Sequence, residues 1–257
     1  RGVGLDEALG FLDPTIKDLM PDPSTVTDLD VGVARLADAV ESGERIALFA
    51  DYDVDGATSA AVMRRWLVQV GLDPIVYVPD RLIEGYGPNV EAIRGLAAAG
   101  ARLLVTLDCG STSFEALQAA RTVGLDVVVI DHHQCGVDLP AAEAVINPNR
   151  QDDLSGLGHL CACGVAFVTL VGLARELRRR GHFRGRPEPD LLALLDLVAL
   201  GTVADVVPLL GLNRAFVVKG LQVARKRRNP GLAALSAVAR LNGPMSPYHL
   251  GFLIGPR

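Results

Sequence analysis

Short apolar runs alternate with segments of helical spacing along the first 150 residues of the chain. Five of the runs have the length and the aliphatic, often β-branched side chains of buried strands. They are residues 46–50, 74–78, 102–107, 126–130 and 144–146. The intervening segments repeat apolar residues every three or four positions, as helices do. We expect the first of these helices to run from about Thr58 to Val70, and residues 112–115 to form a capping box at the start of another. This alternation predicts an α/β fold, with a mostly parallel five-stranded sheet and helices on both faces.

The segments on either side of this region have a different pattern. Residues 1–40 are punctuated by prolines and contain one stretch of helical spacing, so we expect an N-terminal extension that packs against the main domain. Residues 41–212 form the predicted main domain. Beyond Gly158 the pattern becomes helical, with one helix expected from Pro189 to Thr202. We expect residues 213–257 to complete the domain and begin a connector.

Acidic residues and histidines follow the ends of the predicted strands. Asp51, Asp53 and Asp55 come after the first strand, and Asp108 comes after the third. Asp131, His132 and His133 come after the fourth strand. Parallel strands gather their carboxyl ends at one edge of the sheet, where ligands of such sheets bind. Crowded carboxylates need a cation, and oxygen ligands suit magnesium or manganese.

A second acidic position lies far along the chain. Asp205 occurs within the apolar sequence 196–208, where a carboxylate needs a partner or a metal. A helix cap or a buried ion pair would also explain it. The acids around Asp53 have alternatives too, because an aspartate commonly caps a helix. A calcium loop is disfavoured, since Val62 occupies the position where such a loop requires a glutamate.

Composition adds a few limits. The chain of 257 residues is 49% hydrophobic, which is sufficient for a sizeable core. Its net charge of −5 argues mildly against a large DNA surface, although residues 175–186 and 225–228 are basic. Each basic run would serve as a solvated helix end or as a contact to a phosphate backbone. Four irregularly spaced cysteines and no apolar run of membrane-spanning length favour a reduced, cytoplasmic protein without a membrane partner.

Four segments together resemble the motifs of the DHH phosphoesterase superfamily, in order and in spacing. They are residues 51–56, 107–110, 131–133 and 201–208. The resemblance extends over connecting segments, including 84–87 and 144–149, and so covers nearly the whole chain. It is closest to the family's bacterial exonucleases that are specific for single-stranded DNA. A single D-x-D or HH pair would be weak evidence, whereas this ordered set is specific.

The resemblance implies roles for particular residues. It places a divalent-metal site, for one or two Mn²⁺ or Mg²⁺ ions, on five side chains: Asp53, Asp55, Asp108, His132 and Asp205. Asp51 and His133 match motif positions that support the site or help to activate water, so that Asp51, Asp53, Asp55, Asp108, His132 and His133 are the candidate catalytic residues. Arg81 and Arg257 are the candidate substrate-binding residues.

The implied activity is metal-assisted hydrolysis of single-stranded DNA from its 5′ end, in repair and recombination. Single-stranded DNA is the implied substrate, and a single-strand-binding protein and a helicase are implied partners. The chain departs from the family at two positions, with Phe49 where some members have an additional histidine and Ala50 where glycine is usual. Family members continue beyond the position of Arg257, so we expect this chain alone to cleave poorly.

Two other functions are compatible with parts of this pattern. One is hydrolysis of short oligonucleotides or cyclic dinucleotides by the same chemistry. The other is a non-catalytic DNA-binding or replication-scaffold protein that has lost its metals. The connecting segments favour the exonuclease over the first alternative. The complete set of acids in the four motifs argues against the second.

Overall fold

The computed structural model describes residue 4 and residues 8–257 of the chain. Its centre is a five-stranded sheet in which every neighbouring pair of strands is parallel. The strand order is β2-β1-β3-β4-β5. All five predicted strands are present, and the α/β prediction is confirmed. The strands are β1 (Ile46–Ala50), β2 (Ile75–Tyr77), β3 (Leu103–Leu107), β4 (Asp126–Ile130) and β5 (Ala144–Ile146).

The two faces of the sheet belong to two separate apolar clusters. Along β1, Ile46, Leu48 and Ala50 point into one cluster, and Ala47 and Phe49 point into the other. All five side chains are fully buried. A strand that is covered on both faces is apolar at every position, whereas a half-exposed strand alternates. The continuous apolar run in the sequence has this cause.

Helices cover both faces, as predicted. The smaller cluster lies under α5 (Val90–Ala98) and α6 (Phe114–Thr122). The larger cluster lies under α3 (Leu29–Ser42), α4 (Val54–Gln69) and α7 (Ala162–Arg179). Helix α3 belongs to the N-terminal segment and packs against α7 and β5. Two short helices precede it, α1 (Ala8–Leu12) and α2 (Ile16–Leu19), with a 3-10 turn at Pro23–Thr25.

Two local predictions about helix starts are wrong. Helix α4 begins at Val54 and not near Thr58, because the Asp53 side chain accepts a hydrogen bond from the backbone N–H of Gly56 and caps the helix. The predicted capping box at 112–115 is not formed. Ser113 is the N-cap of α6, and its side chain makes no capping hydrogen bond within the described part of the chain.

The second half of the chain is helical. A 3-10 turn at Leu191–Leu194 leads into α8 (Leu195–Ala204), so this helix starts later than the predicted position 189. Three helices follow, which are α9 (Gly211–Ala224), α10 (Pro230–Val238) and α11 (Pro247–His249), and a π-helical turn spans Leu250–Ile254. Helix α8 packs on α4, α7 and α9. Across the described ranges, no helix has the length and apolar character needed to cross a bilayer.

Candidate metal centre

The acids that follow the strands lie together at one edge of the sheet. The backbone N–H groups of Asp51, Asp108 and Asp131 donate to the last residues of the neighbouring strands, at 3.0 to 3.1 Å. Each acid therefore extends a ladder of the sheet by one bond and is fixed in place by it. All three are buried, with at most 4% of the residue exposed.

Three overlapping groups of side chains place potential metal-ligand atoms within 4.8 Å of one another. Together they include every metal ligand that the sequence predicted. Asp205, at the end of α8, reaches the same region as the acids of the sheet edge, with its Oδ2 lying 3.8 Å from Nδ1 of His132. The groups are Asp51–Asp53–Asp108, Asp55–His132–Asp205 and Asp108–His132–His133.

Asp55 lies in the first turn of α4 and is almost fully buried. Its carboxylate accepts hydrogen bonds from the backbone N–H groups of Ala162 and Cys163, at 2.6 and 2.9 Å. These N–H groups open α7, where the helix dipole stabilises a negative charge. The next residue, Gly56, lets the start of α4 approach the backbone of Asp51, since a Cβ at this position would lie 2.3 Å from the backbone oxygen of Asp51.

Asp108 occupies the centre of the site in an unusual backbone conformation. Its φ is +62°, in the left-handed region that residues other than glycine, asparagine and aspartate rarely adopt. Its Oδ1 lies 3.3 Å from Nε2 of His132 and 3.8 Å from Nδ1 of His133. No hydrogen bond from the described residues reaches this oxygen. A buried carboxylate oxygen that accepts no hydrogen bond is typical of a functional site.

His132 is oriented by the backbone. Its Nδ1 lies 3.1 Å from the carbonyl oxygen of Leu160, which can only accept a hydrogen bond. Nδ1 therefore donates to this carbonyl oxygen, and Nε2 faces Oδ1 of Asp108 and Oδ2 of Asp55, the latter 3.8 Å away. A metal-binding histidine commonly has this arrangement, with the second ring nitrogen bonded to a carbonyl group.

His133 is held by Asp131. Its Nδ1 lies 2.8 Å from Oδ1 of Asp131, and this bond raises the pKa of the imidazole. Burial raises the pKa of Asp131, but the hydrogen bonds from His133 and Ser111 outweigh it and lower the pKa to about 2. Asp131 therefore remains ionised. The side chain of His133 is 47% exposed and lies at the mouth of the site.

The site is electrostatically crowded without a cation. Burial, together with the charge of Asp205, raises the pKa of Asp55 to about 6. Burial and the charges of Asp55 and Asp53 raise the pKa of Asp108 far above its usual range. Oxygens of Asp51, Asp108 and Asp205 are buried and accept no hydrogen bond from any described residue. Buried carboxylate oxygens without a hydrogen-bond partner, together with an imidazole, suit Mn²⁺ or Mg²⁺.

Several supporting residues were not among the predicted site residues. Asn149 donates hydrogen bonds to the carbonyl oxygens of His132 and Gly158. Asn147 donates to the carbonyl oxygen of His133 at 2.9 Å. The hydroxyl of Tyr86 lies 3.2 Å from the backbone oxygen of Asp108 and 3.3 Å from Nδ1 of His133. The sequence feature that could have identified them is their position, since the two asparagines follow a strand end and the tyrosine lies in a glycine-rich loop.

The two predicted substrate-binding arginines lie outside the metal-ligand groups. The guanidinium of Arg81 stacks 5.1 Å above the ring of Tyr52, between Asp51 and Asp53 in the sequence. Arg257 lines a cavity of about 650 Å³ that Asp53 also lines. Both guanidinium groups therefore lie near the motif that follows β1, and both arginines are exposed.

The chain belongs to the DHH family. The family model described as the DHH family, N-terminal domain, matches residues 45–202, which is more than half of the chain. The matched region contains the whole sheet and the acids at its edge. The resemblance predicted from the four motifs is therefore confirmed.

Within this family the chain is similar to the exonuclease RecJ. The single-stranded-DNA-specific exonuclease RecJ of Salmonella typhimurium is 40% identical over 251 residues, covering 96% of this chain and 43% of the relative. A crystal structure of exonuclease RecJ bound to manganese superposes with a TM-score of 0.78 at 34% identity, covering 93% of this chain and 57% of that one. RecJ of Thermus thermophilus in complex with Mn²⁺ gives a TM-score of 0.77 at 31% identity, covering 96% and 34%. The chain thus spans less than half the length of the Salmonella relative.

Proposed function

We propose that this chain is the catalytic part of a metal-dependent exonuclease that degrades single-stranded DNA from its 5′ end during repair and recombination. The observation that carries the proposal is the convergence of the predicted metal ligands in three overlapping groups, within each of which the potential ligand atoms lie within 4.8 Å of one another. The similarity to a relative named single-stranded-DNA-specific exonuclease RecJ supports the proposed substrate. In this proposal residues 41–212 form the catalytic domain, residues 213–257 complete it and lead to a connector, and residues 1–40 are an N-terminal extension.

The proposed metal ligands are the five residues predicted from the motifs. They lie at the start of helix α4, just after the ends of strands, and at the end of helix α8. A bound Mn²⁺ or Mg²⁺ would polarise the phosphoryl group and promote the ionisation of water. The ligands are Asp53, Asp55, Asp108, His132 and Asp205.

The remaining residues would orient and assist. The Leu160 carbonyl keeps the proton of His132 on Nδ1, so that Nε2 stays free to bind a cation. Asp131 holds the ring of His133 by one nitrogen and leaves the other free to hold or release a proton. Asp51 adds negative charge beside Asp131 and His133. The proposal needs no protein nucleophile.

Substrate binding would involve Arg81 and Arg257. A planar guanidinium group binds phosphate oxygens through two parallel hydrogen bonds, and both arginines flank the loop that carries Asp53. We further propose that a single-strand-binding protein and a helicase are partners in the cytoplasm, and that regions present in the longer relatives add to the grip on DNA.

The test is a nuclease assay on the chain at excess enzyme, with Mn²⁺ and 5′-phosphorylated single-stranded DNA. We expect metal-dependent release of mononucleotides, little action on duplex, and loss of the activity in Asp53→Asn. Asp73→Asn is the matched control, because Asp73 is exposed and its one ion pair with a described residue is to Arg64 at 3.4 Å. Equal activity of Asp53→Asn and Asp73→Asn, or equal action on cyclic dinucleotides, would contradict the proposal.

A further inference from the structure

An apolar groove of about 560 Å³ lies at the opposite end of α8 from Asp205. Leu195, the first residue of the helix, lines it, so the groove is about 15 Å from the metal centre along the helix axis. Its walls come from α2, α7, α9 and the 3-10 turn that precedes α8. The apolar lining consists of Ile16, Met20, Phe167, Val171, Leu191, Leu192, Leu195 and Val223.

Lysine side chains surround this groove. The chain contains three lysines, and all of them, Lys17, Lys219 and Lys226, line it. Lys219 binds Asp13 at 2.7 Å. Lys17 and Lys226 are exposed, and neither forms an ion pair with a described residue. Lys226 also belongs to the basic run at 225–228, none of whose residues is among the proposed metal ligands or substrate-binding residues. The lining of the groove therefore contains three lysines and no acidic residue, in a chain whose net charge is −5.

We propose that this groove binds a short acidic peptide segment of a partner protein. Large apolar side chains of the peptide would enter the groove, as in other peptide-binding grooves between helices, and its carboxylates would pair with Lys17 and Lys226. Leu192, whose side chain is 55% exposed, would be buried by the bound peptide. The volume is within the range of ligand pockets, roughly 300–1,000 Å³.

The lining favours a peptide over a nucleic acid strand. Binding of single strands depends on aromatic rings with exposed faces. The aromatic residue in this groove is Phe167, which is 1% exposed and packs edge-on against Phe216 at 5.3 Å between ring centroids. Its faces are therefore not available to stack on a base. An anionic partner that brings its own apolar side chains matches the groove better.

The experiment is a selection of random displayed peptides on the immobilised full chain, followed by fluorescence-anisotropy titration of the enriched sequences. We expect the enriched peptides to combine aspartate or glutamate with large apolar residues. They should bind Lys17→Glu/Lys226→Glu at least about tenfold more weakly than the original chain. Arg94→Glu/Arg121→Glu is the control, because it changes the net charge equally at exposed positions outside the groove and outside the basic run at 225–228.

A second pair of variants tests the apolar contact. Leu192→Ala should weaken the peptides several-fold, whereas Leu154→Ala, at a leucine that is 94% exposed, should not. Nuclease activity should stay unchanged in all four variants. Enrichment of peptides without acidic residues, or equal binding to both charge variants, would overturn the proposal. Displacement of the peptides from the groove by single-stranded DNA would assign the groove to nucleic acid instead.

Discussion

Oδ2 of Asp55 accepts a hydrogen bond of 2.6 Å from the backbone N–H of Ala162, 107 residues further along the chain. The same carboxylate faces Nε2 of His132 at 3.8 Å. It therefore joins the start of α4 to the start of α7 and also points into the candidate metal centre. Asp205, on the other side of His132, has no such structural bond to a described residue through its Oδ2.

Asp55→Ala and Asp205→Ala should therefore differ in stability although both should abolish activity. Removing the Asp55 carboxylate leaves two buried N–H groups unpaired, and below pH 6, where the raised pKa keeps most of this carboxyl uncharged, we expect the free energy of unfolding to fall by about 2 kcal/mol. Asp205→Ala should change it by less than about 0.5 kcal/mol. Urea unfolding in the presence of a chelator measures both. Equal stability of the two variants would contradict the structural role of Asp55.

The metal-free protein should lose stability as the pH rises from about 4 to 7. Burial raises the folded-state pKa of Asp55 to about 6, above the roughly 3.9 of an unfolded aspartate, and the pKa of Asp108 shifts in the same direction. A raised carboxyl pKa contributes stability below the unfolded value, and the contribution is lost as the pH passes the folded value. Asp131, whose pKa is lowered to about 2, contributes the opposite dependence below pH 4.

Urea unfolding at several pH values, with and without saturating Mn²⁺, measures this dependence. The ion should reverse the trend, because its ligands bind in their deprotonated form. Asp55→Asn should flatten the metal-free curve between pH 4 and 7. If the metal-free free energy of unfolding rises steadily over this pH range, the raised carboxyl pKa values of Asp55 and Asp108 are contradicted.

The sequence predicted the sheet and the place of the site well, because both depend on local patterns. Continuous apolar runs identify strands that are covered on both faces, and parallel strands gather the residues that follow them. The start of α4 was predicted too late, since a capping bond between Asp53 and Gly56 depends on backbone geometry. The contacts of Asn149 and the bond from Ala162 to Asp55 were not predictable, because they join distant parts of the chain.

Gly201→Ala should displace Asp55, one of the proposed metal ligands, and so weaken metal binding. A Cβ at this position of α8 would lie 2.5 Å from Oγ1 of Thr58 and 3.0 Å from Oδ1 of Asp55. We expect a loss of about 1–3 kcal/mol in the free energy of unfolding and weaker Mn²⁺ binding. Gly95→Ala is the control, because no described atom would lie within 4 Å of its Cβ, and it should gain about 0.5–1 kcal/mol. Denaturation and calorimetric Mn²⁺ titration separate the two effects, and a neutral Gly201→Ala would contradict the packing.

Asn149→Ala should weaken metal binding without unfolding the chain. The Asn149 amide holds the backbone carbonyl of His132 against that of Gly158, so its removal loosens an imidazole that we propose as a ligand. Supporting contacts of this kind are worth about 10- to 100-fold in metal affinity. Calorimetric titration with Mn²⁺ gives the affinity, and circular dichroism verifies the fold. Unchanged affinity would show that the backbone of His132 needs no such support.

The most direct test of the metal centre is Mn²⁺ binding and Mn²⁺-dependent DNA hydrolysis by Asp108→Asn. Asparagine tolerates the left-handed conformation at this position and removes a buried charge that its neighbours oppose. We therefore predict a folded variant that is more stable than the original chain in chelator, gains no stability from Mn²⁺ and releases no nucleotides. A variant that binds Mn²⁺ and hydrolyses single-stranded DNA like the original chain would contradict the account.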